Sequence, residues 1–177
     1  MRFSGFKVLP FSVGILATIA AVLLPATLQP IRADQSGAFS GTWTANGSWQ
    51  PLEFLEDRRV FTFKLSGHVN LRSAIGDTAD FWAECIGLSD DATGSTTRCV
   101  WRDPDGEFAA YIVLSGQLVE EGVAVSGEFV GGTGRLKGLT GTLSFTWSAM
   151  YRDDRARTFT GFAKELAGTY RYPGMQP

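Results

Sequence analysis

The feature that most constrains the fold is a strict alternation of apolar and polar residues along consecutive short segments. Between 39 and 49, the odd positions are Phe, Gly, Trp, Ala, Gly and Trp, while the even positions are Ser, Thr or Asn. Between 60 and 71, Phe61, Phe63 and Leu65 share one phase, and Lys64 and His68 share the other. A period of two is that of a β-strand with one buried face. The pattern therefore predicts strands that bury one side.

The same alternation continues to the C-terminal end of the chain. Further strands are predicted near 79–88, 97–102, 107–115, 117–130, 140–151 and 157–164, with a final extended segment at 166–172. Asp103-Pro104-Asp105-Gly106 predicts a turn, and a calcium loop there would need further oxygen ligands and a closing glutamate. About eight sequential strands predict an all-β fold, a single closed antiparallel β-barrel, because closure removes exposed sheet edges.

The first 33 residues have the composition of an export signal. Arg2 and Lys7 precede an apolar stretch at 8–26, and Ile31-Arg32-Ala33 offers small or aliphatic residues where signal peptidase cuts. An uncleaved membrane anchor is the alternative, because the stretch is almost long enough to span a bilayer. We predict a signal peptide at 1–33 and one β-barrel domain at 34–177, periplasmic or secreted.

Charge and residue counts exclude several kinds of site. The chain of 177 residues has a formal net charge of −2 and one histidine, and no basic stripe marks a nucleic-acid surface. The predicted mature part has no second apolar run of spanning length. Two cysteines and one histidine are too few for an ordinary zinc site. We therefore expect no metal, no cofactor, no nucleic acid and no membrane span in the mature chain.

The two cysteines predict a specific hairpin. Export favours a disulfide between Cys85 and Cys99, with two separate buried thiols as the alternative. Pairing them across neighbouring strands sets Ala83 opposite Trp101 and Trp82 opposite Arg102. Directly opposed side chains are close enough to interact. The sulfurs are then predicted on the inner face.

A glycine-rich segment carries a family resemblance. The segment 127–145, GEFVGGTGRLKGLTGTLSF, contains Gly132-x-Gly134, but an alternating strand follows instead of the helix that a dinucleotide site requires. The segment resembles the connection before a late strand in the allene oxide cyclase and dirigent superfamily. That resemblance implies an eight-stranded barrel with an apolar cavity, in an exported bacterial member. Family members include cyclases and non-catalytic dirigent proteins, and no catalytic residue transfers by motif.

Few residues offer catalysis by themselves. His68 lies on the polar face with Lys64, which predicts a surface position, with a catalytic base as the alternative. The acidic residues Glu53, Glu56 and Asp57 cluster before the second strand. A solvated loop is expected there, and a buried general base is the alternative. Glu84 is expected to pair with arginine. The sequence leaves open whether the protein is an enzyme, and it favours a protein that is not.

Three functions remain open from the sequence. The favoured one is a barrel that binds a small hydrophobic molecule or partner through an aromatic interior without catalysis. The candidate ligand-binding residues are Trp43, Phe61, Phe63, Phe145, Trp147 and Tyr151. The alternatives are an isomerase or cyclase that acts by confinement, and a structural envelope protein with an exposed apolar patch that forms homo-oligomers.

Overall fold

The protein forms a closed barrel of eight antiparallel strands connected in sequence order. The computed structural model describes residues 35–116 and 122–173. Each strand pairs with the next, and the last pairs with the first. The strands are β1 (Gln35–Leu55), β2 (Arg58–Ser73), β3 (Thr78–Asp90), β4 (Gly94–Arg102), β5 (Ala109–Ser115), β6 (Val123–Gly132), β7 (Thr140–Asp153) and β8 (Thr158–Tyr172). The predicted all-β closed barrel is confirmed. The predicted signal peptide lies outside the described residues.

Period-two alternation builds the core, as the sequence predicts. In β3, Phe81, Ala83 and Cys85 are buried, while the residues between them are exposed. Trp43, Trp101 and the other inward side chains form one continuous apolar cluster along the barrel axis. Burial of about 25 cal/mol per Å² of apolar surface makes this cluster the main source of stability.

Glycines make room for the large rings inside the barrel. A Cβ atom at Gly161 would lie 2.4 Å from the Trp147 ring, and one at Gly87 would lie 2.2 Å from the Phe63 ring. Each of these rings therefore occupies the space that a side chain on the neighbouring strand would otherwise fill. The glycines on the apolar face thus let an eight-stranded barrel hold tryptophan and phenylalanine in its interior.

The β3–β4 hairpin has the predicted register and a disulfide. Cys85 pairs with Cys99, Ala83 with Trp101 and Trp82 with Arg102. The two sulfurs are 2.03 Å apart, and both cysteines are buried. On the outer face the Arg102 guanidinium donates a hydrogen bond to the Glu84 carboxylate, as expected.

Two bulges change what the alternation predicts near the C-terminal end. The segments predicted separately at 157–164 and 166–172 form one strand, β8, with Glu165 at a φ of 57°. In β7 the ladder shifts register between Ala149 and Tyr151. A bulge reverses the alternation beyond it, so Tyr151 is 60% exposed. The prediction that Tyr151 lies in the interior is wrong for this reason.

The barrel has two different ends. At the mouth end, β1, β3, β5 and β7 begin, and a 3-10 turn at Gly134–Leu136 joins β6 to β7. At the hairpin end, Ser48 is the last residue of β1 that pairs with β8. Beyond Ser48, β1 pairs with β2 and forms an extended hairpin. Within 35–116 and 122–173, no helix is long and apolar enough to cross a membrane.

Candidate ligand-binding site

Packed rings occupy the middle of the barrel. Trp43 contacts Phe145 and Trp147, each with ring centroids 5.5 Å away, and Trp101 at 6.0 Å. Phe63 is 1% exposed. Four of the six side chains predicted to bind a ligand, Trp43, Phe63, Phe145 and Trp147, therefore lie in this packed layer. Space for a ligand occurs at the ends of the barrel.

A cavity of about 480 Å³ opens at the mouth end. We call it the mouth cavity, and its principal walls are Phe39, Phe81, Trp101, Phe108, Phe129, Arg135, Tyr170 and Tyr172. The floor rings Phe39, Phe81 and Phe129 are each 6% exposed, and Trp101 is fully buried. The volume falls in the range of small-molecule sites, roughly 300–1,000 Å³. The floor ends the cavity above the packed middle of the barrel.

The rings of the mouth cavity contact one another around its wall. Centroid distances of 5.9 to 6.5 Å link Tyr172 to Tyr170, Tyr170 to Phe39, Phe39 to Phe129, Phe129 to Trp101, Trp101 to Phe81 and Phe81 to Phe108. Contacts of this length favour offset or edge-to-face ring geometry. Each ring is thus held by its neighbours before any ligand arrives.

The turn after β4 places Phe108 on this wall. The Asp103 carboxylate, in a residue only 6% exposed, accepts a hydrogen bond of 2.8 Å from the Phe108 backbone N–H. The Asp103 N–H donates to the Phe108 carbonyl at 3.2 Å. Asp103 therefore closes the predicted turn and fixes the residue that carries the ring.

The glycine-rich connection between β6 and β7 packs against the start of β5, next to Phe108. Thr133 accepts a hydrogen bond from the Ala109 N–H through its hydroxyl and donates its own N–H to the Ala109 carbonyl, each at 2.8 Å. A Cβ at Gly134 would lie 2.7 Å from the Glu107 carbonyl oxygen, and φ there is +54°. Only glycine fits this approach. The segment therefore presses the 3-10 turn against the start of β5.

Arg135 projects from this turn onto an aromatic face. Its guanidinium carbon lies 3.8 Å from the centroid of the Phe108 ring. Leu136, the next residue, is buried and anchors the turn. A cation held over a ring is stabilised by the ring quadrupole. The mouth cavity thus has a positive charge at the edge of its apolar wall.

Two tyrosines complete the rim beside β1. Tyr170 lies opposite Gly37 and Tyr172 opposite Gln35, and the Tyr172 hydroxyl donates a hydrogen bond to the Gln35 side-chain oxygen. A Cβ at Gly37 would lie 2.9 Å from the Tyr170 hydroxyl. Burial raises the pKa of Tyr172, Tyr170 raises it further, and the positive charge of Arg135 opposes the change. Ser73, Asp77 and Thr78 supply the remaining polar rim.

A second cavity, of about 600 Å³, lies at the hairpin end. Its walls include Trp49, Phe61 and Arg152, with the Arg152 guanidinium carbon 5.1 Å from the Trp49 ring centroid. The remaining walls come from the extended hairpin, where Phe54 is 58% and Leu55 is 62% exposed. Of the six predicted ligand-binding residues, Phe61 lines the hairpin-end cavity, and none lines the mouth cavity.

The candidate catalytic residues lie apart from the mouth cavity. His68 is exposed on the outer face, with Nε2 3.3 Å from an Asp80 carboxylate oxygen. Glu53, Glu56 and Asp57 are exposed on the extended hairpin. Within the part of the chain that the structure describes, no group of three or more His, Cys, Asp or Glu residues could hold a metal.

None of the six predicted ligand-binding residues lines the mouth cavity. Phe108 directly precedes β5, Arg135 follows β6 and Tyr172 ends β8. At the end of a strand the alternation of apolar and polar residues no longer predicts the direction of a side chain. The signal that could have pointed to Arg135 was the glycine-rich segment itself. Two glycines that allow close backbone approach fix the residue beside them.

Comparison of the chain with protein-family models, with curated proteins and with solved structures finds no match. The fold and the cavity together define the class: an eight-stranded closed antiparallel β-barrel with a buried aromatic cluster and an aromatic mouth, compatible with binding a hydrophobic molecule.

Proposed function

We propose that the protein is an exported barrel that binds a small hydrophobic molecule in the mouth cavity without catalysis. The observation that carries this proposal is a preformed cavity of about 480 Å³ with an almost continuous aromatic wall and a polar rim. Apolar walls with a few polar groups at one edge are typical of small-molecule sites. The apolar part of a ligand would enter, and its polar part would remain at the rim.

The packing of the wall supports affinity. Ordering a flexible side chain on binding costs about 0.5–1.5 kcal/mol of the binding free energy. The floor rings Phe39 and Phe129 contact each other at 5.9 Å and are nearly buried without a ligand. In this proposal, Trp43, Phe63 and Trp147 support the floor from below, and ligand contact falls on the rings above them.

The disulfide supports export. Such bonds persist in oxidising compartments, and Cys85 and Cys99 are bonded in the barrel wall. Together with the positive and apolar residues before Ala33, this favours a secreted or periplasmic protein. Mass spectrometry of the protein from a bacterial host tests the proposal: we expect a mature chain that begins at Asp34. A retained Met1 start would contradict cleavage.

The family proposal rests on two features. The barrel has the number and order of strands that a resemblance to the allene oxide cyclase and dirigent superfamily implies. The GGTGR segment lies in the connection before β7, which is the position that the resemblance assigns to it. We propose membership on these grounds. An alignment that places Gly132, Gly134 and Arg135 on the family motif would support it, and an alignment that shifts them would contradict it.

A neutral fluorescent probe tests binding at the mouth. N-phenyl-1-naphthylamine should brighten on addition of the wild-type mature protein. Ala79→Trp fills the mouth cavity, because Ala79 lines it and packs against the core, so the affinity should fall at least about tenfold. Ser73→Trp gives an independent second obstruction, because Ser73 lines the cavity and is paired with the inward-facing Phe39.

The matched control is Ala124→Trp, which adds the same side chain at an exposed position of β6. It should leave the probe affinity unchanged. Circular dichroism establishes that each variant folds. Absence of any probe response from the folded wild type, or equal affinity in Ala79→Trp, Ser73→Trp and Ala124→Trp, would overturn the proposed function.

A further inference from the structure

The charge distribution around the mouth cavity indicates which kind of hydrophobic molecule fits it. Of the residues that line the cavity, two carry a charge: Arg135 on the 3-10 turn and Asp77 in the turn between β2 and β3. The other polar groups of the rim are neutral hydroxyls and one amide, from Gln35, Ser73, Thr78 and the tyrosines. The ligand is therefore recognised by aromatic faces and by these two opposite charges.

Arg135 is the charge that the fold holds in place. Its guanidinium carbon lies 3.8 Å from the centroid of the Phe108 ring. The N–H of Phe108 donates to the Asp103 carboxylate, and the turn that carries Arg135 follows Thr133, whose hydroxyl accepts from the Ala109 N–H. Within 35–116 and 122–173, no carboxylate forms an ion pair with Arg135. Contact with a ring face does not use the N–H donors of a guanidinium, so these remain available for an anion.

Arg135 also acts across the opening. Its positive charge reaches the Tyr172 hydroxyl, which lies on β8 beside β1. Asp77 is exposed, and its backbone N–H, not its carboxylate, makes the hydrogen bond to Ser73, at 3.0 Å. Arg135 is exposed as well, so solvent screens both charges. Of the two, Arg135 is the one whose charge acts on the Tyr172 hydroxyl, and its guanidinium is held over the Phe108 ring. The cation is therefore the charge held on the aromatic wall.

We propose that the mouth cavity takes an aromatic monoanion, such as an aryl carboxylate, whose ring packs on Phe39, Phe129 and Tyr170 and whose carboxylate is bound by Arg135. This inference rests on the proposed function and names its ligand class. A planar carboxylate can accept two parallel hydrogen bonds from one guanidinium. The ring and the charge must be adjacent, because Arg135 stands at the edge of the aromatic wall.

A pair of isosteric probes tests the charge separately from the ring. Isothermal titration calorimetry compares 2-naphthoate with neutral 2-naphthamide at pH 7. The wild type should bind the acid about tenfold more tightly than the amide, since charge-assisted hydrogen bonds are stronger than neutral ones. Raising the salt concentration should reduce this preference and leave amide binding unchanged.

Three variants assign the preference to its residue. Arg135→Gln should abolish the preference for the acid, because it lowers the affinity for the acid more than the affinity for the amide. Asp77→Asn should strengthen acid binding a few-fold, because it removes the opposing charge. Arg98→Gln removes the same charge from the exposed outer side of β4, and it should keep the wild-type preference.

The outcomes distinguish the inference from the function on which it rests. Equal affinity for acid and amide in the wild type, or a preference that survives Arg135→Gln, overturns the anion proposal and leaves a neutral-ligand cavity. Binding of N-phenyl-1-naphthylamine without binding of 2-naphthoate or 2-naphthamide also overturns the anion proposal. If none of the three molecules binds the folded protein, the proposed function itself fails.

Discussion

The two ends of the barrel each have a cavity, and they differ in how the walls are made. The rings of the mouth cavity come from β1, β3, β4, β6 and β8 and from the turn that carries Phe108. The hairpin-end cavity is larger, about 600 Å³ against 480 Å³, but its walls are residues 49–61 and Arg152. Volume therefore does not identify the better site. The mouth cavity is preferred because its aromatic rings are buried or half-buried and contact one another.

The extended hairpin depends on a few polar contacts at its base. Arg58 donates to Asp90 through Nε at 2.8 Å and through a second nitrogen, and its guanidinium carbon lies 5.2 Å from the Phe54 ring centroid. Two strands without further neighbours are marginally stable by themselves. The comparison teaches that strand closure, not aromatic content, makes rings rigid enough to form a site.

The largest expected effect comes from a matched pair of phenylalanines. Phe129→Ala at the mouth floor removes a ring that is 6% exposed, and it should cost about 3–5 kcal/mol of unfolding free energy. Phe54→Ala at the hairpin tip, where the ring is 58% exposed, should change it by about 0.5 kcal/mol or less. Urea denaturation measures both. Equal losses would show that the two ends do not differ in packing.

A pair of glycines gives an intermediate effect. Gly134 and Gly94 both have positive φ, +54° and +88°, but a Cβ would meet the Glu107 carbonyl oxygen only at Gly134. Gly94→Ala should cost about 1 kcal/mol for the left-handed conformation. Gly134→Ala should cost about 2–3 kcal/mol, because overpacking adds to that strain.

Thermal and urea unfolding of the two alanine variants check this difference. Binding of the naphthylamine probe should also weaken in Gly134→Ala, because the 3-10 turn that carries the cavity-lining Leu136 must move. It should stay constant in Gly94→Ala, whose turn lies at the other end. A loss of binding in both variants would contradict the local role of the glycine-rich connection.

The smallest expected effect is a pH dependence of stability that comes from the contact between Arg58 and Asp90, where the extended hairpin joins the barrel. The hydrogen bond from Arg58 holds the pKa of Asp90 well below its usual range. A lowered native pKa adds stability above the unfolded value of about 3.9, and this stability is lost as the pH falls toward the native value. The difference in urea midpoint between wild type and Asp90→Asn should therefore shrink as the pH falls from about 5 to 2.

Asp91→Asn is the control for that experiment. Asp91 lies 3.6 Å from Arg59 in a more exposed ion pair, and exposed pairs contribute little. Its urea midpoint should stay near that of the wild type throughout the range. A constant difference between wild type and Asp90→Asn from pH 5 to 2 would show that the Arg58 contact does not favour the ionised carboxylate.

The sequence was sufficient for the barrel and for one hairpin register. Alternation reports a local property, the direction of a side chain from an extended backbone, and it assigned Trp43, Phe63 and Trp147 to the interior correctly. The disulfide added one fixed cross-strand pair, which determined the β3–β4 ladder. Both predictions depend only on neighbours in sequence or on a single covalent bond.

The position of the cavity could not be read in the same way. Phe39 and Trp43 have the same phase in β1, yet one lies at the mouth and the other in the packed middle. Depth along the axis depends on strand tilt and on the stagger of all eight ladders, which no local pattern records. Tyr151 was misplaced for a related reason, since the bulge after Ala149 has no marker in the alternation.

The most direct test of the account is the location of a bound ligand by nuclear magnetic resonance. Intermolecular NOEs should connect N-phenyl-1-naphthylamine to the rings of Phe39, Phe129 and Tyr170 in the mouth cavity. NOEs to Trp49 and Phe61 instead would assign binding to the hairpin end, and they would contradict the central claim that the closed, multi-strand end of the barrel forms the site.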